Sequence, residues 1–312
     1  MTKFKGNFGL QFVTHIATHY SIPEWVELAQ LAHEKKFHQL WINDNVGYRP
    51  PIVLLSAVAA QVPIPIGTAV LVPYFHQPLD LVDSLAALSE LCEGREIGVG
   101  LARGSLAITA REVEVVKPLT MVRETAQFLR QTLEGKEVAY RDFPLLQDYY
   151  HLNPEGKFKL SFSPASPFCF YGGGIGPKAL HATGQIMDGL ISSGTFISMV
   201  RAGRQADMLK IAEKSAQQNQ PNLTLQKMCE LNVSISKDRK QALEYPKKQV
   251  VQAALQWETF GFTPEEYEAL HVKREWVLEL KNRKQAPANM AEAASVVNQD
   301  MVRHTYQSGQ PQ

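Results

Sequence analysis

The sequence predicts an α/β fold of the TIM (β/α)8 barrel type. Short apolar runs alternate with stretches whose apolar residues recur at helical spacing, and most connections between them are short. No G-x-G-x-x-G sequence follows the first predicted strand, which disfavours an open dinucleotide-binding sheet. The 312 residues suit a single barrel, so we expect one domain over 1–312 with insertions near 139–167 and 257–300.

Seven strands alternate with helices in the predicted order. The apolar run over 8–13 predicts the first strand. Ser21 and Pro23 then predict a helix start, because serine caps helices and proline suits the first turn. Pro65 and Pro73 mark the ends of the third strand. The predicted strands are 8–13, 40–42, 64–72, 97–101, 168–171, 189–191 and 228–234, and helices are predicted from 21 and over 51–60, 78–92, 119–133 and 177–183.

Composition indicates a small-molecule partner. Lys and Arg number 32 against 31 Asp and Glu, so no basic stripe suits nucleic acid. The apolar runs are shorter than the roughly 20 residues that cross a bilayer, and no signal stretch follows Met1, so we expect a cytoplasmic protein without a membrane segment. Cys92, Cys169 and Cys229 lack the spacing of a metal site, which predicts mostly buried free thiols and no metal.

Four sequence stretches carry a resemblance to a known family. They are GTAVLVPYFHQP over 67–78, LSELCEGREIGVGLARG over 88–104, VKPLTMVRET over 116–125 and FYGGGIGPKALHATGQIMDGLISSG over 170–194. In this order they resemble the bacterial luciferase-like superfamily of oxidoreductases, which use flavin or the deazaflavin coenzyme F420. The resemblance runs from about residue 8 to the end. It implies a barrel with the cofactor ring lying across the C-terminal ends of the strands.

The third and fourth strands supply the first candidate cofactor residues. The resemblance implies a non-prolyl cis peptide between Ala69 and Val70, behind the ring. Gly67 and Thr68 are small, which suits either a closely approaching ring or a tight core. In the turn after the fourth strand, Arg103 and Gly104 match the place where luciferase relatives pair an arginine with the flavin phosphate. The alternative for Arg103 is a surface side chain.

A glycine-rich loop supplies the second set of candidate cofactor residues. It precedes a helix predicted to begin at Pro177, and glycine amides at a helix N-terminus suit an anion such as phosphate. We expect Lys178 in this helix to face solvent. The candidate residues of the loop are Gly172, Gly173, Gly174 and Gly176.

The candidate catalytic residues follow the first three strands. Asp44 and Asn45 stand where F420-using relatives typically carry Asp-His and luciferase carries histidine at the second position. Asn45 can donate a hydrogen bond but cannot act as a general base. Asp44 suits either a ring or substrate contact or a helix cap. His15 and His76, with His19 as a further candidate, are potential acids or bases, or structural histidines.

The resemblance implies a flavin-dependent oxidoreductase. We expect first an FMNH2-dependent monooxygenase of a small organic substrate. The alternatives are an F420-dependent hydride-transfer enzyme and a non-catalytic flavin-binding protein. Gln11 stands where the methylene-tetrahydromethanopterin reductases carry glutamate, which argues against that particular activity. In the family that the chain resembles, a segment like VNQDMVRHTYQSGQPQ over 297–312 leads into the eighth strand, and residues 233–236 are already assigned to the end of the seventh strand. The resemblance therefore implies a barrel without its eighth strand and helix, whose unpaired edges favour a homodimer.

Overall fold

The computed structural model describes residues 6–104, 109–110, 112–174, 176–192, 203–255, 257–258, 261–282, 290–305 and 307–309. The chain divides into two compact units. The first comprises Met1–Ile191 with Ile211–Met228, and the second Ser192–Lys210 with Cys229–Gln312. The single domain expected from the sequence stays a prediction, and each unit is described by itself below.

The first unit is built on a curled sheet of seven strands. Neighbouring strands pair in parallel, and the order of the sheet is the order along the chain once a separate hairpin is set aside. The strands of the sheet are β1 (Gly9–Phe12), β2 (Gln39–Ile42), β3 (Ile66–Leu71), β4 (Ile97–Leu101), β7 (Phe168–Gly173), β8 (Gly189–Ser192) and β9 (Gln226–Cys229), while β5 (Val138–Ala139) and β6 (Lys157–Phe158) form the hairpin. Within the described residues this sheet has no eighth strand. The predicted barrel-type fold lacking a strand is therefore confirmed.

The five described helices of nine or more residues that lie wholly in the first unit share the same start signal. Each carries proline in its first turn, where the missing N–H group costs no hydrogen bond. Ser21 and Glu24 also form a capping box at the start of the first helix. These helices are α1 (Ile22–Glu34), α2 (Pro51–Ala59), α3 (Pro78–Leu91), α4 (Pro118–Leu133) and α6 (Pro177–Ile186), and α7 (Arg204–Asn219) contains the boundary between the units.

The two faces of the sheet bury different clusters. Leu40 and Ile42 of β2 pack with the helices in the large core, whereas Trp41 between them belongs to a separate cluster with Tyr171 and Ile191. Alternate strand residues point to opposite faces, so Trp41 lies on the face away from the helices. Its indole ring meets the Tyr171 ring edge-on, with centroids 5.3 Å apart.

Two glycines make room for this indole. A β-carbon at Gly67 or at Gly98 would lie 2.5 Å from ring atoms of Trp41. The contact with Trp41 agrees with the tight core that was the alternative explanation for the small size of Gly67, and its cofactor contact stays a prediction. The reason is the register of β2 and β3, which places Trp41 directly opposite Gly67.

The insertion expected near 139–167 connects a helix to a strand. It joins α4 to β7 and contains the β5–β6 hairpin and helix α5 (Pro144–Tyr149). It therefore follows a helix and precedes a strand, and its ends lie at the N-terminal edge of the sheet. Glu124 Oε2 on α4 accepts the Leu145 and Leu146 N–H groups at 2.9 and 3.1 Å.

Its tyrosines nevertheless reach the opposite edge of the sheet. The Tyr150 hydroxyl donates to the carbonyl of Pro73, which follows β3, and the Tyr149 hydroxyl donates to the Glu114 carbonyl at 3.0 Å. The segment thus runs along the side of the unit and supports the loops that follow β3 and precede α4.

The second unit consists of short helices and one small sheet. Its core includes Trp257 stacked on Phe262, with ring centroids 4.8 Å apart, and Tyr267 and His304 at their edges. The predicted insertion over 257–300 thus supplies much of this core. The helices are α8 (Arg239–Glu244), α9 (Lys247–Ala254), α10 (Pro264–Ala269), α11 (Arg274–Asn282), α12 (Met290–Ser295) and α13 (Gln299–Thr305).

The seventh strand predicted over 228–234 is wrong as one element. β9 ends at Cys229 in the large sheet, and β10 (Val233–Ile235) pairs in parallel with β11 (Gln307–Gly309). The pairing partner lies about 70 residues away, so no local pattern could reveal it. No helix among the described residues combines the length and the apolar character that a membrane crossing requires.

We predict that Gly67→Ala destabilises the first unit through Trp41. The added methyl group collides with the indole, and overpacking of this kind costs about 1–3 kcal/mol of unfolding free energy. Urea denaturation measures it. In a Trp41→Phe background the cost should shrink, because the colliding atoms belong to the indole. Equal costs in both backgrounds would contradict the packing explanation.

Candidate functional site

The C-terminal ends of β1, β2, β3, β4 and β7 form one edge of the sheet, because these strands run in parallel. We call it the C-terminal edge. In α/β barrels this edge carries the site. The candidate catalytic residues lie in segments that follow β1, β2 and β3, and the glycine-rich stretch begins in the last residues of β7 and continues after it. The structure thus brings them to one edge of the first unit.

The peptide bond between Ala69 and Val70 in β3 is cis, which confirms the expectation from the resemblance. The Gln11 side chain on β1 donates to the Ala69 carbonyl at 3.0 Å. Thr68 is fully buried. Its hydroxyl oxygen accepts from Gly100 N at 3.0 Å and donates to Gly100 O at 3.3 Å, where the β3–β4 register shifts. Thr68 therefore joins β3 to β4, and its hydroxyl is not directed to a ligand.

Three partly exposed residues without bulky side chains lie at or beside the C-terminal ends of three neighbouring strands: Val70 of β3, Ala102 after β4 and Gly173 of β7. We call this group the platform. A methyl group placed on Gly173 would lie 3.0 Å from both the Ala102 β-carbon and a Val70 methyl. The three residues are therefore adjacent in space, and no bulky side chain lies between them. Such a surface allows the face of a flat ring to approach closely.

The other glycines of the loop have different surroundings. A β-carbon at Gly172 would lie 2.2 Å from Thr183 Oγ1 of α6, and one at Gly174 would lie 2.8 Å from the Ala179 β-carbon. These two glycines permit close packing of α6. Gly176 is the N-cap residue of α6, and a β-carbon there would have no atom of the described residues within 4 Å. Space for a ligand atom thus lies at Gly176. Lys178 is exposed, as expected.

Asp44 and His76 form a partly buried acid–base pair. His76 Nε2 lies 2.7 Å from Asp44 Oδ2, and the Val72 N–H donates to the same oxygen at 3.0 Å. The Asp44 side chain is 7% exposed and the His76 side chain 19%. The alternative that Asp44 caps a helix is wrong, because the N-cap of α2 is Pro50. The carboxylate instead orients the imidazole, an arrangement suited to proton transfer.

His15 lies in a second polar cluster. Its Nδ1 atom is 3.0 Å from Asn45 Nδ2 and 3.3 Å from Asn43 Nδ2. Asn43 Oδ1 accepts the Thr14 N–H group at 2.8 Å. Desolvation by the surrounding atoms lowers the pKa of His15. Sequence reasoning missed Asn43, although its place directly before Asp44 at a strand end could have drawn attention to it.

Arg103 and Gly104 form the turn after β4. Gly104 has a φ of +72°, and the Thr109 hydroxyl donates to the Arg103 carbonyl at 3.2 Å. The Arg103 side chain is exposed. Nearby, burial raises the pKa of Tyr74 to about 12 and its hydroxyl donates to the Val116 carbonyl at 2.7 Å, so it remains a protonated core residue.

His19 does not join either polar cluster in the described contacts. Its ring packs on Tyr20, with centroids 4.2 Å apart. Cys92 and Cys169 are buried free thiols, and Cys229 is exposed. In the part of the chain that the structure describes, no three histidine, cysteine, aspartate or glutamate side chains come together as a metal site needs. The site therefore offers a flat platform, an acid–base pair and a histidine–amide cluster.

The curated proteins with similar sequences include proteins named as reductases and as a monooxygenase. The chain is 28% identical over 187 residues to the 5,10-methylenetetrahydromethanopterin reductase of Archaeoglobus fulgidus, covering 59% of this chain and 52% of that protein. It is 29% identical over 138 residues to the N-acetyl-S-alkylcysteine monooxygenase of Bacillus subtilis, covering 41% and 40%. The chain spans about half the length of the first of these relatives.

Solved structures share the fold. The coenzyme F420 dependent tetrahydromethanopterin reductase of Methanopyrus kandleri has a TM-score of 0.73 at 20% identity, covering 98% of this chain and 86% of that one. An F420-dependent secondary alcohol dehydrogenase in complex with an F420-acetone adduct has a TM-score of 0.67 at 16% identity, covering 97% and 86%.

The family model described as luciferase-like monooxygenase matches residues 7–312. This match spans both units and includes every residue of the platform and of the two polar clusters. It agrees with the fold shown by the solved structures. The chain belongs to the luciferase-like monooxygenase family.

Proposed function

We propose that this chain is an oxidoreductase that binds a flavin-type ring at the C-terminal edge. The observation that carries the proposal is the platform of Val70, Ala102 and Gly173 at the same edge as the Asp44–His76 pair. A platform without bulky side chains suits a planar ring, and the pair suits the proton movement that accompanies redox chemistry at carbon. A non-catalytic flavin-binding protein would not need this pair.

The residues present fit the phosphate-bearing part of such a cofactor as well. Gly176 leaves open space in front of α6, and Arg103 is an exposed guanidinium in the turn after β4. Guanidinium groups bind phosphate oxygens through charge-assisted hydrogen bonds. We assign phosphate contacts to these two positions, and the ring to the platform.

We place coenzyme F420 first among the candidate cofactors. Three curated relatives are named 5,10-methylenetetrahydromethanopterin reductase, and two of the similar structures are titled as F420-dependent. When bound, F420 supplies hydride transfer. In that chemistry His76, oriented by Asp44, gives or takes the accompanying proton on the substrate. The sequence analysis favoured FMN over F420, and the preference is reversed here.

FMN with oxygen remains the second candidate. The monooxygenase of Bacillus subtilis among the relatives and the match of Arg103 to the luciferase arginine favour it. In either case the substrate is a small organic molecule. We also retain the homodimer and the cytoplasmic location as proposals.

Titration of the purified chain with F420 and with FMN, followed by quenching of cofactor fluorescence, tests the proposal. We expect F420 to bind at least about tenfold more tightly than FMN. Tighter binding of FMN would move the assignment to the second candidate. Failure to bind either cofactor would contradict the proposed function.

We predict that Ala102→Phe blocks the platform. The phenyl ring would occupy the place of the cofactor ring and lower affinity by about tenfold or more. Ala102 is partly exposed, so the unfolding free energy should stay within about 0.5 kcal/mol of the parent chain. The matched control is Ala60→Phe at the exposed end of α2, which should leave affinity unchanged. Equal cofactor affinities of the two variants would contradict the assignment of the cofactor ring to the platform.

We predict that Arg103→Ala weakens binding of either phosphate-bearing cofactor by about 1.5–3 kcal/mol, the range for charge-assisted hydrogen bonds. The fold should be unaffected, because the side chain is exposed. Arg123→Ala, which removes an exposed arginine from α4, is the control. The same Kd for both variants would leave Arg103 as an ordinary surface residue.

A further inference from the structure

The orientation of the Asn43 side chain is determined by a backbone group. Asn43 Oδ1 lies 2.8 Å from Thr14 N and 3.4 Å from Thr14 Oγ1. A backbone N–H group can only donate, so the amide atom facing Thr14 must be the oxygen. The atom facing His15 is therefore the NH2 group of Asn43, which can only donate.

This orientation decides which nitrogen of His15 carries the proton. Asn43 Nδ2 lies 3.3 Å and Asn45 Nδ2 lies 3.0 Å from His15 Nδ1. A nitrogen approached by amide N–H donors must offer its lone pair, so the proton of the neutral ring resides on Nε2. The lowered pKa of His15 agrees with a neutral ring.

His76 at the same edge has the opposite arrangement. Its Nε2 atom faces Asp44 Oδ2 at 2.7 Å, and an ionised carboxylate can only accept. In neutral His76 the proton therefore resides on Nε2 and points into the protein, and Nδ1 carries the lone pair. In His15 the lone pair on Nδ1 points into the protein instead, and the Nε2–H group is left for a ligand.

We infer that His15 is a hydrogen-bond donor to the bound cofactor ring and not a base, with Asn43 and Asn45 as the positioning residues that hold this tautomer. His15 is exposed, as a residue that meets a ligand must be. The acceptor is a carbonyl oxygen or ring nitrogen of the cofactor, where negative charge develops on reduction. Donors directed at developing charge stabilise it. The ligand in this inference rests on the proposed function, whereas the tautomer does not.

Nuclear magnetic resonance of the chain with labelled histidine tests the tautomer without any cofactor. The His15 resonances, identified by their loss in His15→Gln, should show the proton on Nε2. Asn43→Asp replaces the fixed NH2 group with an acceptor oxygen, and the Asn45 amide can turn its oxygen to the ring, so protonation should move to Nδ1. Asn153→Asp, at an exposed position elsewhere, should leave the spectrum of His15 unchanged. A proton on Nδ1 of the parent chain would overturn the inference.

Affinity for the cofactor tests the role of the donor. His15→Leu removes the donor and should weaken binding of F420 or FMN by about tenfold, whereas His15→Gln supplies an amide N–H and should retain binding within about threefold. Equal losses in the two variants, or no loss in His15→Leu, would overturn the donor role. Failure of the parent chain to bind either cofactor would instead contradict the proposed function, and the spectral result would still decide the tautomer.

Discussion

The geometry of the site depends on how β3 is joined to its two neighbours near its C-terminal end. Asp44 N donates to the Val70 carbonyl at 3.3 Å, and Ala102 N donates to the Leu71 carbonyl at 3.1 Å. Two residues before Val70, the Thr68 hydroxyl replaces part of the β3–β4 ladder by pairing with both backbone groups of Gly100. These contacts hold the acid–base pair and the platform at one edge. A substitution that breaks these hydrogen bonds around β3 would therefore displace both.

The side chains of the three residues that follow β2 point alternately to opposite sides, and this separates the two amides from the carboxylate. Asn43 and Asn45 turn toward His15 after β1, whereas Asp44 between them turns toward Val72 and His76 after β3. Successive side chains of an extended segment point to opposite sides, so three adjacent residues can serve two histidines. The amides face a ring that must accept, and the carboxylate faces a ring that must donate. One short segment thereby contacts both histidines at the same edge.

The fold alone does not decide the reaction. Reductases and monooxygenases both occur among the similar proteins, and the solved structures resemble this chain at 20% identity or less in the two cases described. Function is determined by the residues at the edge of the sheet. In this chain an amide, Asn45, stands beside the acid–base pair, and the histidine that it contacts comes from a different strand. The cofactor titrations and the His15 variants address these particular residues.

The sequence by itself predicted the first six strands of the large sheet and the five proline-initiated helices α1, α2, α3, α4 and α6, because apolar periodicity, helix-start prolines and glycine-rich turns are local signals. It also located the edge where the site lies, through motifs that follow successive strands. Only the tertiary structure decided that Gly67 accommodates Trp41, that Asp44 pairs with His76 and does not cap a helix, and that Val233–Ile235 pairs with Gln307–Gly309. Each of these depends on the register between strands or on a partner distant in the chain. Local patterns encode which face a residue occupies, but the neighbour that it meets there is determined by packing.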